Sequence, residues 1–295
     1  MNMLRVTTSA MVILALVLVS SSAVAGEWTD TDVFVDAEEA ATLIDEGAAV
    51  VDAREAETYR RGHIPGAGNL HWQQFVDGDT SGELIDDDDR LGGLVEAAGV
   101  HEDRPVVVYG AWDDDGWGEE GRIFWTLEYL GHDQVHLMVG GLTAWNRAGQ
   151  PVANSNSEVE SGDFTVQRRD QRRATTDEIR HRINGGGGVA LLDTRERAEY
   201  EGVVKYGEAR GGHIPGAEHL WWEDLVDEQG LISPDELERK LEQRGISTDD
   251  DIIAYCTGGV RSGFVYTVLR AAGFDSVKNY DASMWEWTSN GLPVQ

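Results

Sequence analysis

The sequence predicts an α/β protein made of two copies of one domain, each a mostly parallel sheet with helices on both faces. The segment Val-Val-Asp-Ala-Arg-Glu at 50–55 returns as Leu-Leu-Asp-Thr-Arg-Glu at 191–196. The hexapeptide Gly-His-Ile-Pro-Gly-Ala occurs at 62–67 and again, letter for letter, at 212–217. In each copy, short apolar runs alternate with helical patterns, which is typical of a parallel sheet buried on both sides.

The individual elements follow from these apolar runs. In the first copy we expect strands at 48–53, 105–110 and 135–139 and a helix at 122–130. In the second copy we expect strands at 189–193, 251–255 and 276–280 and a helix at 234–244. Ligands of such folds gather at the carboxyl ends of the strands, so the residues just after these runs are the candidates for a functional site.

The N-terminal segment is typical of an export signal. Arg5 precedes an apolar stretch at 11–19, and Ala-Val-Ala at 23–25 is a small-residue cleavage site. The apolar run is too short to span a bilayer, so the alternative of a membrane anchor is the weaker one. We therefore expect a signal peptide at 1–25, an exported protein in the periplasm or outside the cell, and no membrane association after cleavage.

The remaining chain is long enough for two domains of ordinary size. We expect a first domain at 26–152, a linker at 153–172 and a second domain at 173–295. The linker assignment rests on the polar stretch 154–163, which has no periodicity.

Composition excludes several classes of function. The chain has 54 acidic and 24 basic residues and a formal net charge of -30, a field that repels nucleic acid and anionic lipid. The acidic stretch at 113–115 lacks the spacing of a calcium loop, because Trp117 and Phe124 occupy ligand positions of such a loop. No His or Cys group has the spacing of a zinc site. We expect no nucleic-acid partner, metal or cofactor.

The strongest candidate for chemistry is Cys256, the only cysteine in the sequence. It follows the predicted strand at 251–255 and precedes a glycine-rich turn and an apolar helix, whose N–H groups would point at the sulfur and lower the pKa of the thiol. The alternative is a buried structural cysteine. The predicted binding loop consists of Thr257, Gly258, Gly259, Val260, Arg261 and Ser262. Arg261 would either place its charge beside the thiolate and an anionic substrate or anchor the loop to a carboxylate.

Taken together, the repeat and this loop resemble the tandem-domain rhodaneses, the thiosulfate and 3-mercaptopyruvate sulfurtransferases. The resemblance covers the doubled Asp-x-Arg and Gly-His-Ile-Pro-Gly-Ala motifs, the cysteine loop in the second half only, and Asn-Tyr-Asp-Ala-Ser at 279–283. It implies two rhodanese-like domains. It also implies that Cys256 takes sulfane sulfur from a small-molecule donor, holds it as a persulfide and passes it to cyanide or a thiol.

In the first copy, the position of Cys256 is taken by Gly110, and three aspartates follow at 113–115. With no sulfur and three carboxylates, this loop cannot carry an anionic intermediate. We therefore expect a non-catalytic first domain that covers the second and forms one wall of the cleft.

Other candidate site residues lie in the repeated motifs of both copies. Asp193 and Arg195 end a strand on the side of Cys256, and are either an internal ion pair or, for Arg195, a contact to the substrate oxyanion. Arg210 could supply charge that is missing at Glu199, which corresponds to a substrate-binding arginine of the family. His63 is either a structural turn residue or a proton carrier.

The resemblance leaves the substrate open. The third loop position, a Lys or a Ser in the two enzyme types, is Gly258 here. We favour thiosulfate or a similar donor, because a loop that ends in Arg is shared with many single-domain thiosulfate-type rhodaneses. The alternatives are 3-mercaptopyruvate, a sulfur carrier that needs a sulfur-accepting protein, and a phosphatase. The Cys-x4-Arg spacing from Cys256 to Arg261 is one residue too short for the phosphatase.

Overall fold

The computed structural model describes residues 28–30, 32–112, 116–154, 159–186, 188–227 and 230–295. The predicted signal peptide at 1–25 lies outside the described residues, and so does the acidic stretch at 113–115.

The first domain is built on a five-stranded sheet in which every pairing is parallel. Its strands are β1 (Phe34–Val35), β2 (Ala49–Asp52), β3 (Gly68–Asn69), β4 (Val106–Tyr109) and β5 (Val135–Met138), in the order β1-β5-β4-β2-β3. Its helices are α1 (Ala37–Asp45), α2 (Ala56–Arg61), α3 (Asp88–Ala97), α4 (Glu119–Leu130) and α5 (Gly141–Arg147).

The second domain repeats this plan with a four-stranded parallel sheet. Its strands are β6 (Val189–Asp193), β7 (Glu218–His219), β10 (Asp251–Tyr255) and β11 (Val277–Tyr280), in the order β11-β10-β6-β7. A separate antiparallel ribbon pairs β8 (Val226–Asp227) with β9 (Gly230–Leu231). The helices are α6 (Thr176–His181), α7 (Arg197–Tyr200), α8 (Pro234–Glu242), α9 (Val260–Ala271) and α10 (Ser283–Ser289).

The predicted fold class is confirmed, and the long apolar runs form the central strands. Successive side chains of these strands point to opposite faces of the sheet. In β10, Ile252 and Ala254 join the core that is shared by the two domains, whereas Ile253 and Tyr255 pack in an outer cluster beside α10. Both faces of each sheet are therefore buried, which explains why these strands are almost continuously apolar.

The two domains meet where α4 crosses α9. A Cβ added at Gly121 would lie 2.3 Å from the Cα of Phe264, and one added at Gly263 would lie 2.8 Å from the Cα of Arg122. Each helix thus presents a glycine to the backbone of the other, and the close approach leaves no room for a side chain. This contact brings the amino-terminal ends of the two helices together.

The end of the predicted linker and the start of the second domain lie against acidic groups through a run of arginines. Arg168 contacts Asp88, with 2.7 Å between Nε and Oδ1, and Arg173 contacts Asp281 at 2.9 Å. Arg169 pairs with Asp133. The arginines therefore neutralise part of the protein's own acidic surface.

Candidate active site

Cys256 lies at the junction of β10 and α9, at the carboxyl edge of the second sheet. Gly259 precedes the helix with a φ of 78°, a left-handed conformation that glycine adopts without strain. This turn lets the Gly259 N–H donate to Cys256 Sγ at 3.1 Å, and the Cys256 N–H donates to Ser283 Oγ at 3.1 Å. The sulfur is thereby held at the start of a twelve-residue helix.

The environment of the thiol favours the thiolate. Burial alone would raise the pKa of Cys256, since the residue is only 1% exposed. The positive charge of Arg261, the N–H and hydroxyl of Ser262 and the N–H of Gly258 outweigh burial and hold the pKa below its ordinary value. A thiolate in such a site is a nucleophile near neutral pH.

Arg261 is held by a buried carboxylate. Its guanidinium donates to both oxygens of Glu199, at 2.7 and 2.9 Å, and to Thr257 Oγ1 at 2.8 Å. The Arg261 hydrogen bonds and charge keep the pKa of Glu199 below its ordinary value despite burial. Arg261 therefore anchors the loop, and its charge reaches the sulfur while three of its N–H groups are engaged by Glu199 and Thr257.

Glu199 was missed as a site residue. The sequence signal was present, because an acid stands where the resembling family has a substrate-binding arginine. Thr257 extends the network, because its Oγ1 lies 3.0 Å from Glu199 and 3.2 Å from Glu208 and its single proton is shared between these two acceptors. Glu199 thus holds the loop by accepting hydrogen bonds from Arg261 and Thr257, and it offers no positive charge to a substrate.

Asp193 and Arg195 form a buried ion pair next to the loop. Arg195 Nε lies 2.9 Å from Asp193 Oδ1, and its Nη2 donates to the Gly212 carbonyl at 2.8 Å. The first domain has the same arrangement, in which Arg54 pairs with Asp52 and reaches the Gly62 carbonyl at 2.7 Å. The first domain keeps this ion pair although it has no cysteine. The pair therefore has a structural role in both domains, which is to join the end of a strand to the Gly-His-Ile-Pro turn.

Two predicted site residues are not brought to the thiol. The His63 ring stacks on Tyr59 with centroids 3.9 Å apart, and its Nδ1 lies 2.9 Å from the Tyr59 carbonyl oxygen. Arg210 is exposed and donates to the Leu292 carbonyl. His63 packs on Tyr59, and Arg210 binds the C-terminal segment. Neither residue lines the cleft described next.

A cleft of about 230 Å³ opens above Cys256 between the two domains. Four loop residues line its floor together with Cys256: Thr257, Gly258, Val260 and Arg261. The other lining residues are Glu55, His71, Trp72, Gln73, Trp117 and Glu119 from the first domain and Tyr206 and Trp285 from the second. The first domain thus forms one wall of the cleft, through residues that are far from Cys256 in sequence and that sequence reasoning could not single out.

The cysteine loop packs closely against Trp285, which lines the cleft. A Cβ at Gly258 would lie 2.1 Å from Cζ3 of Trp285, so any larger residue would displace the indole. Glycine at the third loop position is therefore a packing requirement in this chain.

Arg122 of the first domain also reaches the loop and was not foreseen. It is fully buried, and its guanidinium donates to the Gly82 carbonyl at 2.6 Å and to the Gly258 carbonyl at 3.4 Å. Burial lowers the pKa of Arg122 to about 10, while the charges of Asp281 and Cys256 act in the opposite direction. The guanidinium remains charged at neutral pH and ties the loop carbonyl to the first domain.

Two other kinds of site are absent from the part of the chain that the structure describes. In the described ranges, no group of three or more His, Cys, Asp or Glu residues is placed to hold a metal ion. Within the same ranges, no helix is both long and apolar enough to cross a bilayer.

Comparisons with known proteins agree with this geometry. The family model described as a rhodanese-like domain matches twice, at residues 36–148 and 175–290. The sulfur carrier protein TtuD of Thermus thermophilus is 34% identical over 250 residues, which cover 80% of this chain and 86% of the relative. A thiosulfate sulfurtransferase of Azotobacter vinelandii is 32% identical over 249 residues, covering 83% of this chain and 90% of the relative.

Among solved structures, the 3-mercaptopyruvate sulfotransferase SseA of Escherichia coli superposes with a TM-score of 0.76 at 26% sequence identity. The match covers 88% of this chain and 99% of that protein. The tandem arrangement, the sheets and their connections are thus shared along nearly the whole described chain.

Proposed function

This chain belongs to the rhodanese family and is a sulfurtransferase, and we propose that it moves the sulfane sulfur of thiosulfate, or of a similar donor, through a persulfide on Cys256 to cyanide or a thiol. One observation carries the proposal: a thiol with a lowered pKa sits at a helix start, accepts an N–H, and faces a cleft between two domains. The thiosulfate sulfurtransferases among the relatives support this choice of donor.

The proposed reaction has two steps. The Cys256 thiolate attacks the outer sulfur of thiosulfate, the S–S bond of the donor breaks, and sulfite leaves with the bonding electron pair. An acceptor nucleophile then attacks the outer sulfur of the persulfide, the bond to Sγ breaks, and the thiolate is restored. In each step the site would stabilise negative charge on sulfur, which backbone N–H groups and a nearby cation do without reorganising.

The N–H groups of the loop are the proposed anion site. The Gly259 N–H already points at Sγ, and Gly258 and Ser262 also stabilise the thiolate. Arg261 contributes charge, but Glu199 occupies its bidentate donor face. We therefore assign the persulfide to the backbone amides and assign Arg261 to holding the loop and lowering the pKa of the thiol.

Mass spectrometry of the intact protein after exposure to thiosulfate tests the proposal. Wild type should gain one sulfur atom and lose it again on addition of cyanide. Cys256→Ser should remain folded, since a hydroxyl fits the same space, but should gain no sulfur and lose turnover by at least about a thousandfold. Residual turnover within about tenfold of wild type would contradict the assignment of Cys256.

A sulfur-carrier role is a second candidate, because the relative TtuD is named a sulfur carrier protein. In that case the persulfide would form, but its release would need a partner protein. Steady-state turnover of the isolated protein with thiosulfate and cyanide separates the two, since a carrier should load once and then stop.

Export is also part of the proposal. The pattern of Arg5, the apolar stretch 11–19 and the small residues 23–25 supports cleavage before Gly26. N-terminal sequencing of the protein recovered from outside the cytoplasm should give a chain that starts near Gly26. Recovery of the uncleaved chain from the cytoplasm alone would contradict it.

A further inference from the structure

Four aromatic rings surround the cleft above Cys256, two from each domain. Trp72 and Trp285 face each other across the domain boundary with centroids 6.5 Å apart and planes 29° from parallel. Trp117 meets Tyr206 edge-to-face with centroids 5.7 Å apart. The Trp285 indole is fixed, because its Nε1 donates to the Tyr206 carbonyl at 2.8 Å. Cys256 and these four rings line one cleft, which we call the aromatic enclosure.

The charges on this enclosure are mainly negative. Glu55 and Glu119 line its first-domain wall, and the Glu55 charge adds to burial in raising the pKa of Glu119, so the two carboxyls are close enough to interact. Burial lowers the pKa of His71, which is therefore neutral near pH 7. Among the described residues that line the cleft, the one permanent cation is Arg261, and Glu199 holds it.

We propose that this enclosure selects a sulfur acceptor that carries an alkylated or free ammonium group beside its thiol. Arg261 and Lys205 already lie over the Tyr206 ring, each 5.3 Å from its centroid. The ammonium would therefore lie between the tryptophan rings and the two carboxylates, where the negative faces of the indoles and the carboxylates both attract it. The thiol would reach down to the loop. An anionic acceptor would meet two carboxylates at the same place and find no uncommitted cation among the described lining residues.

The inference rests on the proposed persulfide and names the substrate class of its second step. The thiolate of the acceptor attacks the outer sulfur of the Cys256 persulfide, and the bond to Sγ breaks with its electron pair on Cys256. The acceptor leaves as a persulfide that keeps its ammonium group. No oxidant or reductant is consumed.

The first experiment separates loading from acceptor choice. The protein is loaded with thiosulfate, the gain of sulfur is verified by mass, and its loss is followed with four thiols: thiocholine, cysteamine, mercaptoethanol and mercaptopropionate. Wild type should discharge fastest to the two cationic thiols and slowest to the anionic one. A failure to load would contradict the proposed function, whereas normal loading with no preference among the thiols would overturn this inference alone.

The four thiols also differ in intrinsic reactivity, but each reacts with the same intrinsic rate in wild type and in a variant. Comparing wild type with carboxylate variants therefore isolates the effect of the carboxylates. In Glu55→Gln/Glu119→Gln, the ratio of kcat/KM for thiocholine to that for mercaptoethanol should fall at least about tenfold relative to wild type. Glu57→Gln is the matched control, since Glu57 is an exposed carboxylate on α2 that pairs with Arg61 and does not line the cleft. An equal fall of the ratio in the control would show a general field effect and overturn the inference.

Direct binding tests the enclosure without sulfur transfer. In the Cys256→Ser background, titration calorimetry with S-methylthiocholine should show binding that weakens with Glu55→Gln/Glu119→Gln and with Trp72→Leu. Binding that is absent, or that is indifferent to all of these changes, would overturn the inference. Circular dichroism verifies that each variant is folded.

Discussion

The two domains place the same strand and helix at the same point of their sheets, yet only one of them carries a nucleophile. In the second domain β10 leads through Cys256 and the left-handed Gly259 into α9. In the first, β4 ends just before Gly110, and α4 begins after the left-handed Gly118, which also has a φ of 78°, so the connection is longer. The comparison separates what the fold requires from what the chemistry requires.

The largest difference is the replacement of an arginine by a buried acid at one helix position. Two residues after the left-handed glycine, α9 has Arg261 and α4 has Glu120. Burial raises the pKa of Glu120 to about 8, and its Oε2 has no hydrogen-bond partner among the described residues. At neutral pH the first domain thus has a buried and mostly uncharged acid where the second has an arginine that stabilises a thiolate.

Removing Arg261 should make the second loop resemble the first. Arg261→Ala leaves Glu199 buried without its partner, which should cost about 3–5 kcal/mol in the free energy of unfolding. The thiol pKa should rise, because the cation that lowers it is gone, so the alkylation rate of Cys256 plotted against pH should shift to higher pH. At pH 7, kcat/KM for thiosulfate should fall at least about tenfold.

The double variant Arg261→Ala/Glu199→Ala separates the two effects of Arg261, on the free energy of unfolding and on the pKa of Cys256. Without the unpaired acid, it should recover part of the lost stability in urea unfolding, while the thiol pKa stays raised. If the double variant regained wild-type kcat/KM at pH 7, Arg261 would have no role beyond neutralising Glu199.

The sequence predicted the fold far better than the walls of the site. The strands β4 and β10 are long apolar runs, so their place in the sheet follows from pattern alone. The two-residue strands β1, β3 and β7 were missed, because so short an edge strand has no periodicity. Likewise, α4 begins at Glu119, ahead of the predicted helix at 122–130, since acidic residues in its first turn are not part of the apolar pattern.

Within the site, the loop around Cys256 was predictable because its residues are consecutive. The contact of Arg261 with Glu199 joins residues that are 62 positions apart, and the contact of Arg122 with Gly258 spans 136. No local pattern encodes either distance. Both depend on how the motifs pack after folding, which is also why Trp72 and Trp117 could not be assigned to the cleft.

Arg122 tests whether the first domain acts on the loop or only covers it. Arg122→Met keeps much of the side-chain volume but leaves the Gly82 carbonyl without this donor, which should cost about 1–3 kcal/mol in the free energy of unfolding. It also removes a buried cation that interacts with the thiolate, so the thiol pKa should rise, by less than in Arg261→Ala. The measurement is the pH dependence of Cys256 alkylation.

Arg122→Lys is the matched control for this effect. It keeps a positive charge near the loop but loses the guanidinium fork that spans two carbonyls. The pKa of Cys256 should therefore stay close to that of wild type, while only part of the free energy of unfolding that Arg122→Met loses is kept. If Arg122→Met still unfolds cooperatively and its pH profile is unchanged, Arg122 does not affect the pKa of Cys256, and the first domain only covers the loop.

The smallest effect should come from placing a thiol in the first loop. In the Cys256→Ser background, Gly110→Cys should restore neither persulfide formation nor turnover. A Cβ at position 110 would lie 2.1 Å from Glu120 Oε2, so the new thiol would be forced against a buried carboxyl. Burial and that acid would both raise its pKa, the opposite of the effect of Arg261 on Cys256.

Intact mass after exposure to thiosulfate measures the outcome, with the alkylation rate of the introduced thiol as a check that it can be reached. A gain of one sulfur atom would show that the shared strand and helix suffice for persulfide formation and that the exchange of Arg261 for Glu120 does not decide which domain is active.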